Sequence, residues 1–177
     1  DAANLERNLY FTVQLREMGI PIIVALNMMD VAKKRGIDVD VDTLSRELGC
    51  PVVPVVAISG QGLDELKREI LILAEDKDEK AFQVTHEDTV EQAISAITSQ
   101  ITGISSSANR RWLSLKLLEN DKHALSLVET SIYPLVQQWQ QTIEQRAGEE
   151  ADLHIADARY GHAHALAQLA IKAQGKV

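Results

Sequence analysis

Asn27-Met28-Met29-Asp30 carries the clearest chemistry in this chain of 177 residues. It directly follows Pro21-Ile22-Ile23-Val24-Ala25-Leu26, a continuously apolar, β-branched run that reads as a strand buried on both faces of a parallel sheet. Ligands of open α/β sheets bind in the crevice at the C-terminal ends of the strands. A carboxylate placed there, Asp30, can accept two hydrogen bonds from the N1–H and the exocyclic amino group of a guanine. Adenine lacks that pair of donors, and the carboxylate left unpaired would disfavour it by about 2 kcal/mol or more. Asn27 could clasp the base edge or tie neighbouring loops together. Asn and Asp are also common loop residues, so N-x-x-D alone reads equally as an ordinary loop.

A second stretch lies one helix and one strand further on. Val55-Val56-Ala57-Ile58-Ser59-Gly60-Gln61-Gly62 leads into the helical run that starts at Leu63. A backbone N–H near Ala57 could donate to a guanine O6, and small residues and glycines let the backbone approach a base closely. By itself this stretch is a glycine-containing strand-to-helix turn. The evidence for a base site is the pairing of the two loops, each at the C-terminal end of a consecutive buried strand.

The elements that must position these loops follow from periodicity. A helix capped by Asn4 carries Leu5, Leu9 and Val13 on one stripe and stops at Gly19. After the strand at 21–26, a short helix spans Val31 to Arg35. Asp42 can cap a helix through Leu48, stopped by Gly49. Pro51 to Ala57 is the second buried strand, Ser59 to Gly62 a turn, and Leu63 to Ala74 a helix with Leu66, Ile70 and Leu73 on one side. This order is the grammar of a doubly wound α/β sheet. From about residue 80 onward only helices are expected: Glu87–Ile101, Asn109–Glu119, His123–Glu129, Pro134–Gln145 and Asp152–Ala173. Six consecutive charges from Glu75 to Lys80 mark the boundary, giving domains at 1–78 and 79–177.

Composition excludes several classes. Net charge is −8, and neither half is basic, so a nucleic-acid partner is disfavoured. A single cysteine, Cys50, permits no internal disulfide and suits a reducing compartment. No signal peptide is visible. No run approaches the roughly 20 apolar residues of a membrane span, so the chain is expected to be soluble.

Five motifs spread over nearly the whole chain carry a family resemblance. They are Asp1 to Tyr10, Ala25-Leu26-Asn27-Met28-Met29-Asp30, Leu48-Gly49-Cys50-Pro51-Val52, Arg110-Arg111-Trp112-Leu113 with Lys116-Leu117-Leu118-Glu119, and Ile155-Ala156-Asp157-Ala158-Arg159-Tyr160. Together they resemble the cytosolic N-terminal region of the bacterial ferrous iron transport protein B family, FeoB. Generic small GTPases lack the last two.

The resemblance implies part of a P-loop GTPase-type sheet, joined to a small all-α regulatory domain that favours the GDP-bound state. It implies GTP and GDP as ligands, with Mg²⁺ in the parent protein. It also implies a membrane permease for Fe(II) in the same polypeptide and a place at the cytoplasmic face of the bacterial inner membrane. A homo-oligomer is left open. Carried over by position, Asn27 and Asp30 match the guanine-specificity motif, and the stretch around Ala57 and Ser59 matches the second base-contacting loop. Two positions depart from the common GTPase pattern: Met28 stands where Lys is usual, and Val56 where Ser is frequent. The base-binding set is therefore Asn27, Met28, Asp30, Val56, Ala57 and Ser59.

No G-x-x-x-x-G-K-[ST] phosphate loop occurs in the chain, nor a D-x-x-G switch segment ahead of the base motif. The chain can contact a base, yet it holds no residue that could activate a water, so no catalytic residue is assigned. It reads as roughly half of one domain plus the whole of another, and residues 1–75 are not expected to fold stably alone. A fragment of another translation-type GTPase, or a non-enzymatic helical interaction module at 80–177, are the alternative readings.

Other residues read more simply. His154 and Asp157, at i and i+3, are the only histidine–carboxylate pair on the last helix that could share a metal, and no metal site is assigned. Cys50 is a small buried residue beside a strand. Arg110-Arg111-Trp112 is either a docking patch or core with solvated arginines. Trp139 is core. Asp38, Asp40 and Asp42, alternating with Val39 and Val41, read as a solvated edge and a helix cap.

Overall fold

The computed structural model describes residues 1–75 and 82–172. Beyond Glu75, the charged run chosen as the domain boundary lies outside the described residues. Backbone contacts divide the chain into two compact units, one of Asp1–Phe82 with Gly161–Val177 and the other of Gln83–Tyr160. The end of the chain therefore groups with its beginning, whereas the sequence assigns everything after 79 to the helical part.

The first unit opens with a 3-10 turn, Ala2–Asn4, and helix α1, Leu5–Glu17. Leu5, Leu9 and Val13 are buried at i, i+4 spacing, as their pattern requires. Asn4 occupies the cap position, but its side chain donates to Asp1 Oδ2 at 2.7 Å and caps no amide. Gly19, at φ 73°, turns the chain out of the helix.

Strand β1, Val24–Leu26, then pairs in parallel with β3, Val52–Pro54, with Val24 opposite Val52 and Leu26 opposite Pro54. Both strands are shorter than the apolar runs that announce them, because only the hydrogen-bonded centre of each run is paired. β1 is not buried on both faces: Leu26 is buried, but Ala25 is exposed. Helices α2, Met29–Lys34, and α3, Val41–Leu48, form the crossover between the strands. Asp40, and not Asp42, caps α3: its carboxylate accepts the Thr43 N–H at 3.1 Å. A capping oxygen sits two or three residues ahead of the amide it serves, on a residue of extended backbone, and Asp40 meets both conditions for Thr43.

Two strands escape the sequence reading. β2, Asp38–Val39, pairs antiparallel with β4, Ile171–Lys172, which lies in the half where only helices were expected. Two-residue strands are too short to show a period of two. The Asp40 N–H extends this pairing to the Ala170 carbonyl at 2.7 Å. Helix α4, Leu63–Glu75, keeps its apolar stripe but buries none of it, and Leu71 is 67% exposed.

The second unit contains α5, Asp88–Gln100, α6, Ser107–Leu118, α7, Lys122–Ser126, and α8, Tyr133–Ala147. The first half of α9, Ala151–Ala170, completes it. Its core is built from Val90, Ile94 and Ile97 of α5, Leu113 and Leu117 of α6, Ile143 of α8 and Ile155 of α9. Trp112 and Trp139 pack against that core. Arg111 is neither solvated nor part of an open patch. Its guanidinium grips Glu91 at 2.7 and 2.8 Å and the Val84 carbonyl at 3.1 Å.

Candidate functional site

The two loops singled out by their sequence meet at the ends of β1 and β3. The Asn27 carbonyl accepts the Ala2 N–H at 2.8 Å, which anchors the first loop to the start of the chain. Asn27 Oδ1 accepts two amides: its neighbour Met28 at 2.8 Å, and Ala57, thirty residues away, at 3.1 Å. Of the two roles open to Asn27, its oxygen takes the second and ties the loops together.

Met28 has the left-handed backbone, φ 64°, that glycine or asparagine usually supplies. That single residue turns the chain from strand into α2. Its carbonyl accepts the Val31 and Ala32 amides at 3.1 and 3.0 Å, so Met28 is also the start of the helix. Asp30 thereby sits in the first turn of α2, where the helix dipole favours a negative charge. Among the described residues no donor occupies its carboxylate.

The second loop is a 3-10 turn, Ala57–Ser59. The Val56 N–H donates to the Gln61 carbonyl at 3.0 Å, and the Val56 carbonyl accepts both the amide and the hydroxyl of Ser59 at 3.1 Å. Val56 is buried beneath the turn, and the Ser59 hydroxyl is engaged in closing it. Gly62, at φ 81°, is indispensable, since a Cβ there would lie 2.2 Å from the Pro54 carbonyl oxygen.

Four of the six sequence-chosen residues thus come together: Asn27, Met28, Asp30 and Ala57. Val56 and Ser59 build the loop from within. Ile58 was not singled out. The Ala57 N–H is spent on Asn27, whereas the Ile58 N–H makes no hydrogen bond among the described residues, and its side chain is 96% exposed. The sequence held one signal for it: an apolar β-branched residue set between Ala57 and Ser59 in a polar turn. The arrangement offers a free carboxylate and a free amide, which is an acceptor pair and a donor for the edge of a flat heterocycle.

The histidine–carboxylate pair on α9 does not form. His154 turns to Glu149 and Glu87, and among the described residues no group of His, Cys, Asp and Glu is placed to hold a metal ion.

Comparison with known proteins covers both units. Residues 1–70 match the family model described as ferrous iron transport protein B, and residues 86–172 match that of the FeoB cytosolic helical domain. The Fe(2+) transporter FeoB of Salmonella typhimurium is 40% identical over 163 residues, 90% of this chain and 20% of the relative. That of Escherichia coli K12 is 40% identical over 165 residues, with the same coverage. The chain thus spans about a fifth of the length of the curated relatives it matches. Among solved structures, a GDP-bound variant of NFeoB from S. thermophilus superposes with a TM-score of 0.86 at 31% identity, covering 97% of this chain and 67% of that one. NFeoB from S. thermophilus bound to GDP, AlF4⁻ and K⁺ gives a TM-score of 0.84 at 32% identity, covering 95% of this chain and 66% of that one.

Proposed function

Given that the chain belongs to the FeoB family of ferrous iron transport proteins, we propose that its first unit holds the base of a guanine nucleotide. The observation that carries this reading is the Asn27 bond that joins the two loops, one bearing the Asp30 carboxylate and the other the Ile58 amide, neither with a partner among the described residues. The carboxylate accepts from N1–H and the 2-amino group, and the Ile58 N–H donates to O6. Asn27 and Ala57 act by positioning. Met28 aims Asp30 through its left-handed backbone, and Val56 and Ser59 shape the second loop.

In the whole transporter, GTP binding and hydrolysis would regulate Fe(II) uptake. The two units described here would work at the cytoplasmic face of the membrane beside the permease of the same polypeptide. Solved relatives with GDP and with a GTP analogue bound support this reading. Mg²⁺ belongs to this reading as well; among the described residues no group of three or more His, Cys, Asp or Glu is placed to hold a metal ion. Among the described residues no helix is long and apolar enough to cross a membrane.

The test is calorimetric. The part of S. thermophilus NFeoB outside the matched region is joined to the whole chain, and GDP, CDP and xanthosine diphosphate are titrated in. GDP is expected to bind at least about thirtyfold tighter than CDP, the equivalent of about 2 kcal/mol. Asp30→Asn should lose that preference and gain xanthosine diphosphate, whose base has a carbonyl acceptor where guanine has an amino donor. Equal binding of GDP and CDP, unmoved by Asp30→Asn, rules the reading out.

A further inference from the structure

His154 lies on the first turns of α9 and uses both ring nitrogens. Nδ1 is 2.7 Å from Glu149 Oε1, in the turn between α8 and α9, and Nε2 is 2.9 Å from Glu87 Oε2, at the cap position of α5. A neutral imidazole has one N–H, and an ionised carboxylate only accepts. Both bonds can therefore be made together only by the imidazolium. Once neutral, the ring must turn a lone pair toward one of the two carboxylates.

We propose that His154 is a pH-sensitive clasp of the helical unit, fastening the start of α9 to the start of α5 while it is protonated and releasing one of them when it is not. The loss is more than one hydrogen bond. Without the imidazolium, Glu87 and Glu149 face each other across the ring with no cation between them.

The other charged groups on these elements sharpen the bias. Asp88 and Glu91 stand on α5, Arg146 on α8, and Glu150 and Asp152 at the start of α9, with His86 just ahead of α5 and Arg111 on α6. Arg146 donates to Thr89 Oγ1 at 3.2 Å, and Arg111 is committed to Glu91. Neither cation is bonded to Glu87 or Glu149 among the contacts described, so His154 is the cation those two carboxylates meet. The bond to Glu149, then that to Glu87, holds the His154 pKa above its ordinary value against the opposing effect of burial.

The sign follows from that direction. A histidine whose folded pKa is raised contributes stability in full below its unfolded value, near 6.5, and loses it as pH rises through the folded pKa. Above that point the clasp is open, and a histidine is the side chain whose charge changes closest to neutral pH.

The whole chain serves for the test. The Cε1–H resonance of His154 is followed by NMR from pH 5 to 9 in the natural protein, in Glu149→Gln and in Glu87→Gln. In parallel, thermal melts compare the natural protein with His154→Gln over the same range. His154 should titrate above 6.5, and each glutamine variant should move it downward. The melting advantage over His154→Gln should be largest at the acid end and vanish at the alkaline end. Corrected for the intrinsic pH dependence of exchange, amide protection in the first turn of α9 should fall about tenfold across the transition. A His154 titration at or below 6.5, indifference to both glutamine variants, or parallel melting curves for the two proteins would each overturn the proposal. The titration needs no variant, so a poorly folded mutant does not spare it.

Discussion

Arg159 on α9 and Glu119 at the end of α6, forty residues apart, form a two-pronged ion pair in which the guanidinium is 1% exposed. Nη1 meets Oε1 and Nη2 meets Oε2, the latter at 3.2 Å. Lys116, one turn earlier, adds a third contact to the same carboxylate at 3.1 Å. Glu119 is the C-terminal cap of α6, so the cations also lie where that helix is negative. The pair thus joins α6 to α9 inside the helical unit.

Removing one partner should be worse than removing both. Arg159→Met leaves Glu119 with only Lys116, and Glu119→Leu takes the two-pronged acceptor away from a side chain that is 1% exposed. Each single change is expected to cost about 3 kcal/mol, while the double variant recovers most of it. Urea denaturation of the four proteins gives the coupling directly. Simple additivity of the two losses would show that the pair does not act as a unit.

The two glycines of the loop after β3 should differ in their tolerance of alanine. Both have positive φ, 77° at Gly60 and 81° at Gly62. At Gly60 nothing lies within 4 Å of a new Cβ, so only backbone strain applies, about 1 kcal/mol. At Gly62 the Cβ would sit 2.2 Å from the Pro54 carbonyl oxygen, at the end of β3, and the backbone must move. Gly62→Ala should therefore destabilise the first unit well beyond Gly60→Ala and alter the Ala57 and Ile58 amide shifts. Equal melting temperatures for the two variants would contradict the geometry.

Acid should loosen α7 through Asp121. Its carboxylate accepts the His123 and Ala124 amides, both at 2.9 Å, and these bonds hold its pKa below the usual carboxylate range, chiefly the one from Ala124. A depressed pKa means stability that is present above the unfolded value, near 3.9, and lost as pH falls through the folded one. Asp121→Ala should cost about 1 kcal/mol at neutral pH. Asp121→Asn should keep the cap and flatten the acid limb of the stability curve. Chemical denaturation between pH 2 and 7 distinguishes them. An acid limb as steep in Asp121→Asn as in the natural protein would remove Asp121 from the account.

Much of this molecule can be read from residue types in order. The i, i+4 spacing of Leu5, Leu9 and Val13 announces α1, the β-branched runs announce β1 and β3, and each apolar helix of the second unit appears within two or three residues of its place. The family is written in motifs that need no coordinates, because Asn27, Asp30 and the turn at 57–62 are local patterns at strand ends. What escaped depends on distant partners. β2 and β4 exist only because residues 38–39 and 171–172 meet, and neither pair has a period to betray it. The burial expected for β1 and α4 follows from composition, but burial depends on what covers a face, and here Ala25 and Leu71 are uncovered. The choice between Asn27 as a base clasp and as a tie between loops was undecidable from spacing. It rests on an oxygen reaching an amide thirty residues away, which leaves the Ile58 N–H, and not that of Ala57, open. The same holds for His154 and Arg159. Helical spacing places them on α9, but only packing supplies the glutamates that make one a protonated clasp and the other a buried ion pair.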